Sequence, residues 1–230
     1  MSSPVSAHKA LFAHSCVTLP RDVRGGPSDR APYGRHDALV RALAHMVADE
    51  DAATVPVLEA GARRHWAGLA EACRYEPATP VVGSGGRRVW QAFGVCRTVP
   101  GVFDDLAGAV AVWLDAARRE LQPAPFPSIA FNELILQRYV DAAYGITPHR
   151  DHRRYRYLVA VLVLSGQGRF LVCDDRAGRG ARQVAAQPGE LILMRAPGFA
   201  ASERRPFHAV VDVSGRRLTL AMRYGEGGAE

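Results

Sequence analysis

Two histidines and one aspartate in the second half of the chain have the types and spacing of a metal site. His149 and Asp151 are separated by one residue, and His208 follows far downstream. Side chains two positions apart on a strand point to the same face, so the first pair can approach one ion together. Two imidazoles and one carboxylate on one face of Fe(II) leave three positions open for a co-substrate and O₂. The spacing therefore predicts a non-haem iron centre formed by these three residues.

An arginine nine positions after the last histidine extends this prediction to a co-substrate. Arg217 carries a planar guanidinium that can pair with a carboxylate through two hydrogen bonds. Its neighbour Arg216 should point to the opposite face of the strand, into solvent. The string His149-Arg150-Asp151 also occurs in the catalytic loop of protein kinases, but the chain lacks their glycine-rich nucleotide loop and Asp-Phe-Gly motif. The combination predicts an iron oxygenase that consumes 2-oxoglutarate.

The composition is typical of a globular chain of one domain. The 230 residues are 48% hydrophobic and 23% charged, with a net charge of +6 and a pI near 9.5. No apolar run approaches the ~20 residues of a membrane helix, no secretory signal pattern is present, and four scattered cysteines fit neither a disulfide framework nor a zinc site. We therefore expect a cytoplasmic protein without a membrane partner. Its basic charge admits nucleic acid as a partner without requiring it, and its oligomeric state stays open.

The first half of the chain is predicted to be helical, after an N-terminal loop. Residues 1–36 should form a flexible or lid-like arm, because 20–36 are rich in Pro, Gly, Arg and Ser. Apolar residues at helical spacing predict three helices, over 37–48 with Asp37 as its cap, over 56–74 and over 101–121. Glycines at 83–86, followed by 89–93, predict a turn that leads into a strand or lid hairpin. Residues 37–125 would thus be a helical support and lid region.

The second half is predicted to be a β domain. Short β-rich segments alternate there with turns containing Gly, Pro and Asp. The candidate strands are 129–139, 156–165, 168–173, 182–186, 190–195, 207–213 and 217–224. The segment 157–164 is too apolar for a strand with one wet face, so it should lie centrally in a sheet. Helices followed by seven strands predict an α+β fold with a mainly β core, an antiparallel double-sheeted barrel over 126–225 buttressed by the N-terminal helices.

One long segment of this half resembles a known enzyme family. Residues 131–151, Phe-Asn-Glu-Leu-Ile-Leu-Gln-Arg-Tyr-Val-Asp-Ala-Ala-Tyr-Gly-Ile-Thr-Pro-His-Arg-Asp, resemble the AlkB-like branch of the 2-oxoglutarate/Fe(II) oxygenases. In that branch an Asn-x-Tyr strand leads through a short turn into His-x-Asp. Downstream, 191–194 resembles the strand before the family's distal histidine, and Arg217-x-Thr219-x-Ala221-x-Arg223 resembles its Arg-x-Asn-x-Thr-x-Arg ending. The resemblance covers about 125–225 and implies a double-stranded β-helix, or jelly-roll, barrel.

The resemblance also implies roles for the residues in these motifs. The two histidines and the aspartate would bind Fe(II), with 2-oxoglutarate and O₂ as the other ligands. Arg217 would pair with the distal carboxylate of 2-oxoglutarate, helped by the hydroxyl groups of Tyr139 and Thr219. Arg223 would orient the carboxylate on the iron side. Gln137 stands where the family has an Asn two residues before the tyrosine, and it is a candidate co-substrate contact despite its extra methylene.

A second departure from the family follows the metal motif directly. The nucleic-acid demethylases of the family have acidic residues there, whereas this chain has His-Arg-Arg-Tyr-Arg at 152–156. Arg195 and 204–205 add positive charge at the same end of the predicted barrel. The cluster predicts a site for a substrate carboxylate or phosphate, with solvated surface arginines as the alternative. We expect the substrate contacts in this loop and in the lid, at Trp90, Gln91, Arg153, Arg154 and Tyr155.

Three functional hypotheses follow. The leading one is an oxygenase that hydroxylates a C–H bond of a small molecule, favoured as carboxylate-bearing, with release of succinate and CO₂. Dealkylation, desaturation and cyclisation are left open as outcomes. The alternative is an AlkB-type oxidative demethylase of nucleic acid, which would need an aromatic pocket for a flipped base and a basic groove. A third class, a binding module without catalysis, is disfavoured by the complete set of ligands and the co-substrate arginine.

Overall fold

The described residues of the first half of the chain form three α-helices. A computed structural model describes residues 35–82, 88–140 and 142–227. The helices are α1 (His36–Ala48), α2 (Ala60–Glu71) and α3 (Val102–Arg119), which confirms the number predicted for this half. Asp37 lies in the first turn of α1 and is not its cap, because the cap position is Arg35. None of these helices is long and apolar enough to span a membrane.

Two features of the first half differ from the prediction or fall outside the structure. The predicted helix 56–74 is shorter because Pro56 belongs to a strand and the backbone N–H groups of Val57 and Leu58 both donate to the carbonyl of Gly189. The predicted arm, except for its last two residues, and the predicted glycine turn at 83–86 lie outside the described residues.

The strands of the described residues are, in chain order, β1 (Ala52–Pro56), β2 (Glu76–Pro77), β3 (Val81–Val82), β4 (Arg88–Val89), β5 (Phe93–Cys96), β6 (Glu133–Tyr139), β7 (Ala142–His149), β8 (Tyr155–Cys173), β9 (Arg182–Val184), β10 (Glu190–Arg195) and β11 (Phe207–Gly225). Their pairings are antiparallel. The large sheet runs β1-β10-β8-β11-β6-β5-β2, while β7 pairs with β11, β9 pairs with β8, and β3 and β4 form a separate hairpin.

Two long strands, β8 and β11, divide this sheet into two halves. The first part of β8 pairs with β10 and with the last part of β11, which also pairs with β6. The last part of β8 pairs with β9 and with the first part of β11, which also pairs with β7. The predicted central position of 157–164 is confirmed, because β8 has a partner on both sides there.

A glycine allows β8 to pass from one half to the other. Gly166 has φ +74°, and a Cβ at this position would lie 2.4 Å from the Cα of Arg217 on β11. An L side chain is disfavoured by this backbone conformation and excluded by the neighbouring strand. The two strands can therefore approach closely at the bend, directly beside a predicted site residue.

The helices pack on one face of the large sheet. On α3, Phe103, Leu106, Val110 and Leu114 are buried at helical spacing. They join a cluster with residues of β6, β8, β10 and β11, including Leu136, Leu162, Leu193 and Leu220. Burying such side chains stabilises the fold by about 1.5–3 kcal/mol each. The helices thus support the sheet from outside, and the opposite face is left for the site.

A second apolar cluster lies on that opposite face. Tyr139, Val159 and Ile192 of the large half pack in it with Ile146, Phe170 and Val210 of the small half. The two halves therefore face each other. The fold is a mostly antiparallel β core with a few helices, as predicted.

Several predicted strand boundaries were wrong. The strands β1, β2, β3, β5 and β7 were not predicted, and the strand predicted over 129–139 begins at Glu133. The predicted strands 156–165 and 168–173 are one strand, β8, and 207–213 and 217–224 are likewise one strand, β11. The short segments between them, Gly-Gln in β8 and Ser-Gly-Arg in β11, carry the bends and register shifts that connect the two halves.

Candidate functional site

The three predicted metal ligands meet at the end of the small half. His149 is the last residue of β7, Asp151 follows it, and His208 is the second residue of β11. His149 and His208 are cross-strand partners, and their ring centroids are 4.2 Å apart. The Asp151 Oδ1 atom lies 3.8 Å from Nε2 of His149 and 3.9 Å from Nε2 of His208. The ligand atoms of the three side chains all lie within 4.8 Å of one another.

Both imidazoles are held with Nε2 toward the aspartate. The Nδ1 atom of His149 lies 3.0 Å from the carbonyl of Thr147, and that of His208 lies 3.5 Å from the carbonyl of Pro206. Because a carbonyl only accepts, each Nδ1 carries the proton and each Nε2 keeps its lone pair. Burial lowers the pKa of both histidines, that of His208 to about 3 with help from the nearby His149. Both rings are therefore neutral at pH 7, as metal binding requires.

Asp151 begins a partly buried chain of charged groups. Burial opposes its ionisation, but the charges of Arg223 and the two histidines outweigh this and lower the pKa of Asp151 to about 2. The Arg223 Nε atom lies 3.4 Å from Asp151 Oδ2, and its NH1 atom lies 3.7 Å from Oε1 of Glu133. Glu133 in turn accepts hydrogen bonds from Arg154 and from the hydroxyl of Tyr155. The aspartate is thus ionised and fixed in orientation.

Glu133 is a site residue that the sequence reasoning missed. It faces Arg223 across the β6–β11 ladder, and both line the same cavity as Asp151. The sequence did contain an indication of this role. Glu133 lies two residues before Ile135 and four before Gln137, so the alternation of a strand places all three on one face. Arg154 and Tyr155, predicted to contact substrate, both contact Glu133.

The predicted co-substrate residues form a second group on the same two strands. Arg217 is paired with Tyr139 and Thr219 with Gln137 in the β6–β11 ladder. The Gln137 Oε1 atom accepts hydrogen bonds from Thr219 Oγ1 at 3.0 Å and from the Tyr139 hydroxyl at 3.3 Å. The guanidinium carbon of Arg217 lies 5.1 Å from the Tyr139 ring centroid. Gln137 therefore links the two hydroxyl groups that were predicted to flank the arginine.

Arg217 is a buried cation without a carboxylate partner among the described residues. Only 2% of it is exposed, and burial lowers its pKa while the neighbouring Tyr139 opposes this shift. A buried guanidinium is costly unless an anion accompanies it. Arg216, in contrast, is exposed, as predicted, and also forms an ion pair with Glu71 on α2. The buried arginine is therefore suited to bind an anionic group that enters the cavity.

The cavity between the two halves contains nearly all of these groups. It encloses about 1010 Å³, which is large enough for two small molecules side by side. Among the site residues predicted from the sequence, its lining includes His149, Asp151, His208, Arg217, Tyr139, Gln137, Arg223, Gln91, Arg153, Arg154 and Tyr155. Thr219 is fully buried behind Gln137. Trp90 is 59% exposed and lies outside this lining, although its neighbour Gln91 lies inside it.

The segment around Trp90 runs beside β7. The Trp90 N–H donates to Thr147 Oγ1 at 3.0 Å, and the Thr147 N–H donates to the Trp90 carbonyl at 3.1 Å. Gln91 forms an isolated bridge with Ile146, and its side chain donates to the Thr79 carbonyl at 2.7 Å. This segment covers one edge of the strand that ends in His149.

Comparisons with known proteins found structures with a similar fold, but no match by sequence. No family model and no curated protein matches the chain. Among solved structures, a prolyl-4-hydroxylase of Pseudomonas putida is similar over 83% of this chain and 100% of that chain, with a TM-score of 0.59 and 18% identity. An oxidoreductase of the 2OG-Fe(II) oxygenase family from Burkholderia pseudomallei covers 83% of this chain and 92% of that chain, with a TM-score of 0.58 and 15% identity.

The fold is that of the 2-oxoglutarate/Fe(II) oxygenases. A third similar structure, OsALKBH1, has a TM-score of 0.52 and 15% identity over 74% of this chain and 96% of that chain. The AlkB-like branch that the sequence resembles is therefore among the similar folds. The donor set of two neutral imidazoles and one ionised carboxylate fits Fe(II), the ion named for the family of the Burkholderia pseudomallei structure.

Proposed function

We propose that this chain is an Fe(II)- and 2-oxoglutarate-dependent oxygenase. The observation that carries the proposal is the pairing of two sites in one cavity. A cluster of two histidines and one aspartate fits a metal ion, and a buried arginine without a carboxylate partner among the described residues fits an anionic co-substrate. On this basis the two halves joined by β8 and β11 form a double-stranded β-helix barrel over about 126–225. Residues 37–125 then serve as its support and lid.

The proposed roles follow from the contacts. His149, Asp151 and His208 would hold Fe(II). Arg217 would pair with the distal carboxylate of 2-oxoglutarate, with hydrogen bonds from Tyr139, Thr219 and Gln137 at that end. When bound, Fe(II) would activate O₂, which would oxidise 2-oxoglutarate to succinate and CO₂ and insert its other oxygen atom into a C–H bond of the substrate.

The protein's own groups position the metal ligands and the co-substrate, and they exclude water from the site. Arg223 keeps the Asp151 carboxylate ionised and oriented, and the two backbone carbonyls keep both imidazoles in the tautomer that presents Nε2. Because Arg217 is buried, few water molecules would compete with the distal carboxylate of 2-oxoglutarate for its guanidinium group. A co-substrate fixed at both ends leaves the remaining cavity volume to the substrate.

For the substrate we propose a small molecule, hydroxylated at a C–H bond. Support comes from the residues after the metal motif, which are basic where the family's nucleic-acid demethylases are acidic. The second candidate is oxidative demethylation of nucleic acid. It is supported by the similarity to OsALKBH1 and by the positive charge at the cavity mouth.

The test is substrate-dependent release of succinate. The full chain, loaded with Fe(II) under reducing conditions, is incubated with 2-oxoglutarate, O₂ and a metabolite library, and in parallel with methylated single-stranded DNA and RNA. We expect a small molecule to raise succinate release above the uncoupled rate, and His208→Ala to abolish both rates. Demethylation of an oligonucleotide without any active metabolite would favour the second candidate, and full activity of His208→Ala would refute the proposed metal site.

A further inference from the structure

Four arginines line the mouth of the cavity, and two of them lie over one aromatic ring. We call Arg150, Arg153, Arg176 and Arg205 the rim arginines; all of them line the cavity that contains the metal-ligand cluster. The guanidinium carbon of Arg150 lies 4.0 Å from the ring centroid of Phe207, and that of Arg176 lies 5.9 Å from it. Phe207 directly precedes a metal-ligand candidate on β11. The ring therefore holds two guanidinium groups at the entrance to the site.

A third member of the group contacts the metal motif itself. The Arg205 NH1 atom donates to the backbone carbonyl of Asp151 at 2.8 Å. Arg150 and Arg153 flank that aspartate in the sequence, one and two positions away. The positive groups thus lie next to the reacting centre and not on a remote surface.

None of the rim arginines has a carboxylate partner in the part of the chain that the structure describes. The acidic groups at this end form ion pairs with other arginines. Asp174 pairs with Arg182 at 2.9 Å, Glu203 with Arg156 at 3.6 Å and Asp151 with Arg223 at 3.4 Å. Asp49 and Asp51 likewise pair with Arg204. The positive charge of the rim is therefore left uncompensated.

Two further observations show that these groups are not simply solvated. The NH1 atom of Arg176 is buried and has no hydrogen-bond partner. Arg205 is half-buried and lines the same cavity as Arg150 and Arg153. Like charges held together at a partly buried site destabilise each other unless an anion neutralises them.

We propose that the rim arginines bind a phosphate ester group of the substrate. The inference rests on the proposed oxygenase function and adds the substrate's chemical class. Several guanidinium groups that converge on one opening match the two charges and the three free oxygens of a phosphate monoester, whereas a single carboxylate would neutralise fewer of them. The group bound at the rim would leave the rest of the molecule to extend inward past Phe207 toward the metal.

The experiment measures phosphate binding by calorimetry. The full chain is first saturated with Mn(II) and 2-oxoglutarate, so that the Arg217 site is filled, and inorganic phosphate and glycerol phosphate are then titrated. We expect both to bind, and Arg176→Gln and Arg150→Gln each to weaken binding about tenfold, since each removes one charge-assisted partner. The matched control is Arg179→Gln in the same loop, since Arg179 is paired with Asp175 and its side chain is 82% exposed.

The outcomes separate the two proposals. The rim site is overturned if phosphate does not bind, or if neither Arg176→Gln nor Arg150→Gln weakens its binding. It is also overturned if Arg179→Gln weakens phosphate binding as much as these two variants do. Failure of 2-oxoglutarate to bind would refute the oxygenase while the phosphate titration remains readable. Thermal unfolding of each variant shows that it is folded, and Arg176 and Arg150 donate no hydrogen bond to Asp151 whose loss would disturb the metal motif.

A second titration identifies the source of the phosphate. A short single-stranded DNA oligonucleotide would release several counterions, so its affinity should fall steeply as salt rises. We expect glycerol phosphate to bind at least as tightly as the oligonucleotide at physiological salt. Tight oligonucleotide binding with a steep salt dependence, and none of glycerol phosphate, would contradict a small-molecule substrate.

Discussion

Three arginines on one strand have three different environments. Arg216 is exposed beside Glu71, Arg217 is buried beside Tyr139, and Arg223 is partly buried between Asp151 and Glu133. The alternation of a strand separates the first from the other two, because Arg217 and Arg223 lie on the same face as Thr219 and line the cavity. Identical side chains can therefore be assigned different roles from their position on the strand alone.

Removing the buried arginine should affect the co-substrate selectively. Loss of one partner of a buried charge pair costs about 3–5 kcal/mol, so Arg217→Ala should raise the KM for 2-oxoglutarate by a factor of roughly 100 to several thousand. Arg216→Ala is the matched control and should change the KM little, because surface ion pairs contribute only about 0–1 kcal/mol. Initial rates at varied 2-oxoglutarate measure both effects. The opposite ranking of the two variants would refute the assignment.

Glu133 should act on the metal through Arg223. In Glu133→Gln the arginine loses an ionic partner, and Asp151 becomes less firmly oriented. We expect metal affinity to fall by roughly 10–100-fold, the usual effect of losing a partner behind a ligand. Mn(II) titration measures this, with exposed Glu120→Gln as the control. Unchanged Mn(II) affinity in Glu133→Gln would mean that Arg223 positions the aspartate unaided.

The residues of the site were predictable where chemistry and spacing coincide. His149, Asp151, His208 and Arg217 combine side chains of suitable chemistry with a defined interval, and the structure brings them into one cavity. Arg176 could not be predicted, because it lies in the loop between β8 and β9 and reaches the site only through the fold. Its sequence neighbours include another arginine, Arg179, which is paired and exposed.

At the level of elements, the missed strands have physical explanations. β7 contains Gly145 and Pro148, which interrupt its apolar alternation and resemble a loop. Gly145 is needed there, because a Cβ would lie 2.7 Å from the Tyr139 ring. β1 has five residues, and it is defined by pairing with β10, a partner more than a hundred residues away. Long-range pairing and close approach are properties of the fold that local patterns do not contain.

The bend of β8 should depend on one glycine. In Gly166→Ala the new methyl group would meet the backbone of Arg216 and Arg217, at 2.4–2.7 Å, in addition to the strain of φ +74°. We expect destabilisation by at least about 3 kcal/mol, measured by urea unfolding. The strands would have to separate beside Arg217, so 2-oxoglutarate binding should weaken as well.

Gly215 isolates the two causes of that destabilisation. It also has a positive φ, +65°, but a Cβ there would have nothing within 4 Å. Gly215→Ala should therefore cost only the strain of the left-handed conformation, about 1–2 kcal/mol. Equal destabilisation by both substitutions would mean that the close approach of β8 and β11 does not limit the fold.

At the scale of the whole molecule, the two faces of the large sheet have different tasks. Leu218, Leu220 and Met222 of β11 pack against the helices, while Arg217, Thr219 and Arg223 of the same strand belong to the site. The helices of the first half thus stabilise the strands whose other face carries the chemistry. The sequence predicted this division from helices followed by strands, but not the contribution of β1 and β5 to the sheet.

The central claim is that one cavity binds Fe(II) and 2-oxoglutarate together. The most direct measurement is the visible absorption of the protein with both ligands under anaerobic conditions. We expect a weak metal-to-ligand charge-transfer band that requires both ligands, is lost in His208→Ala and, at limiting 2-oxoglutarate, is lost in Arg217→Ala but kept in Arg216→Ala. A protein that binds Fe(II) but develops no such band at saturating 2-oxoglutarate would contradict the account.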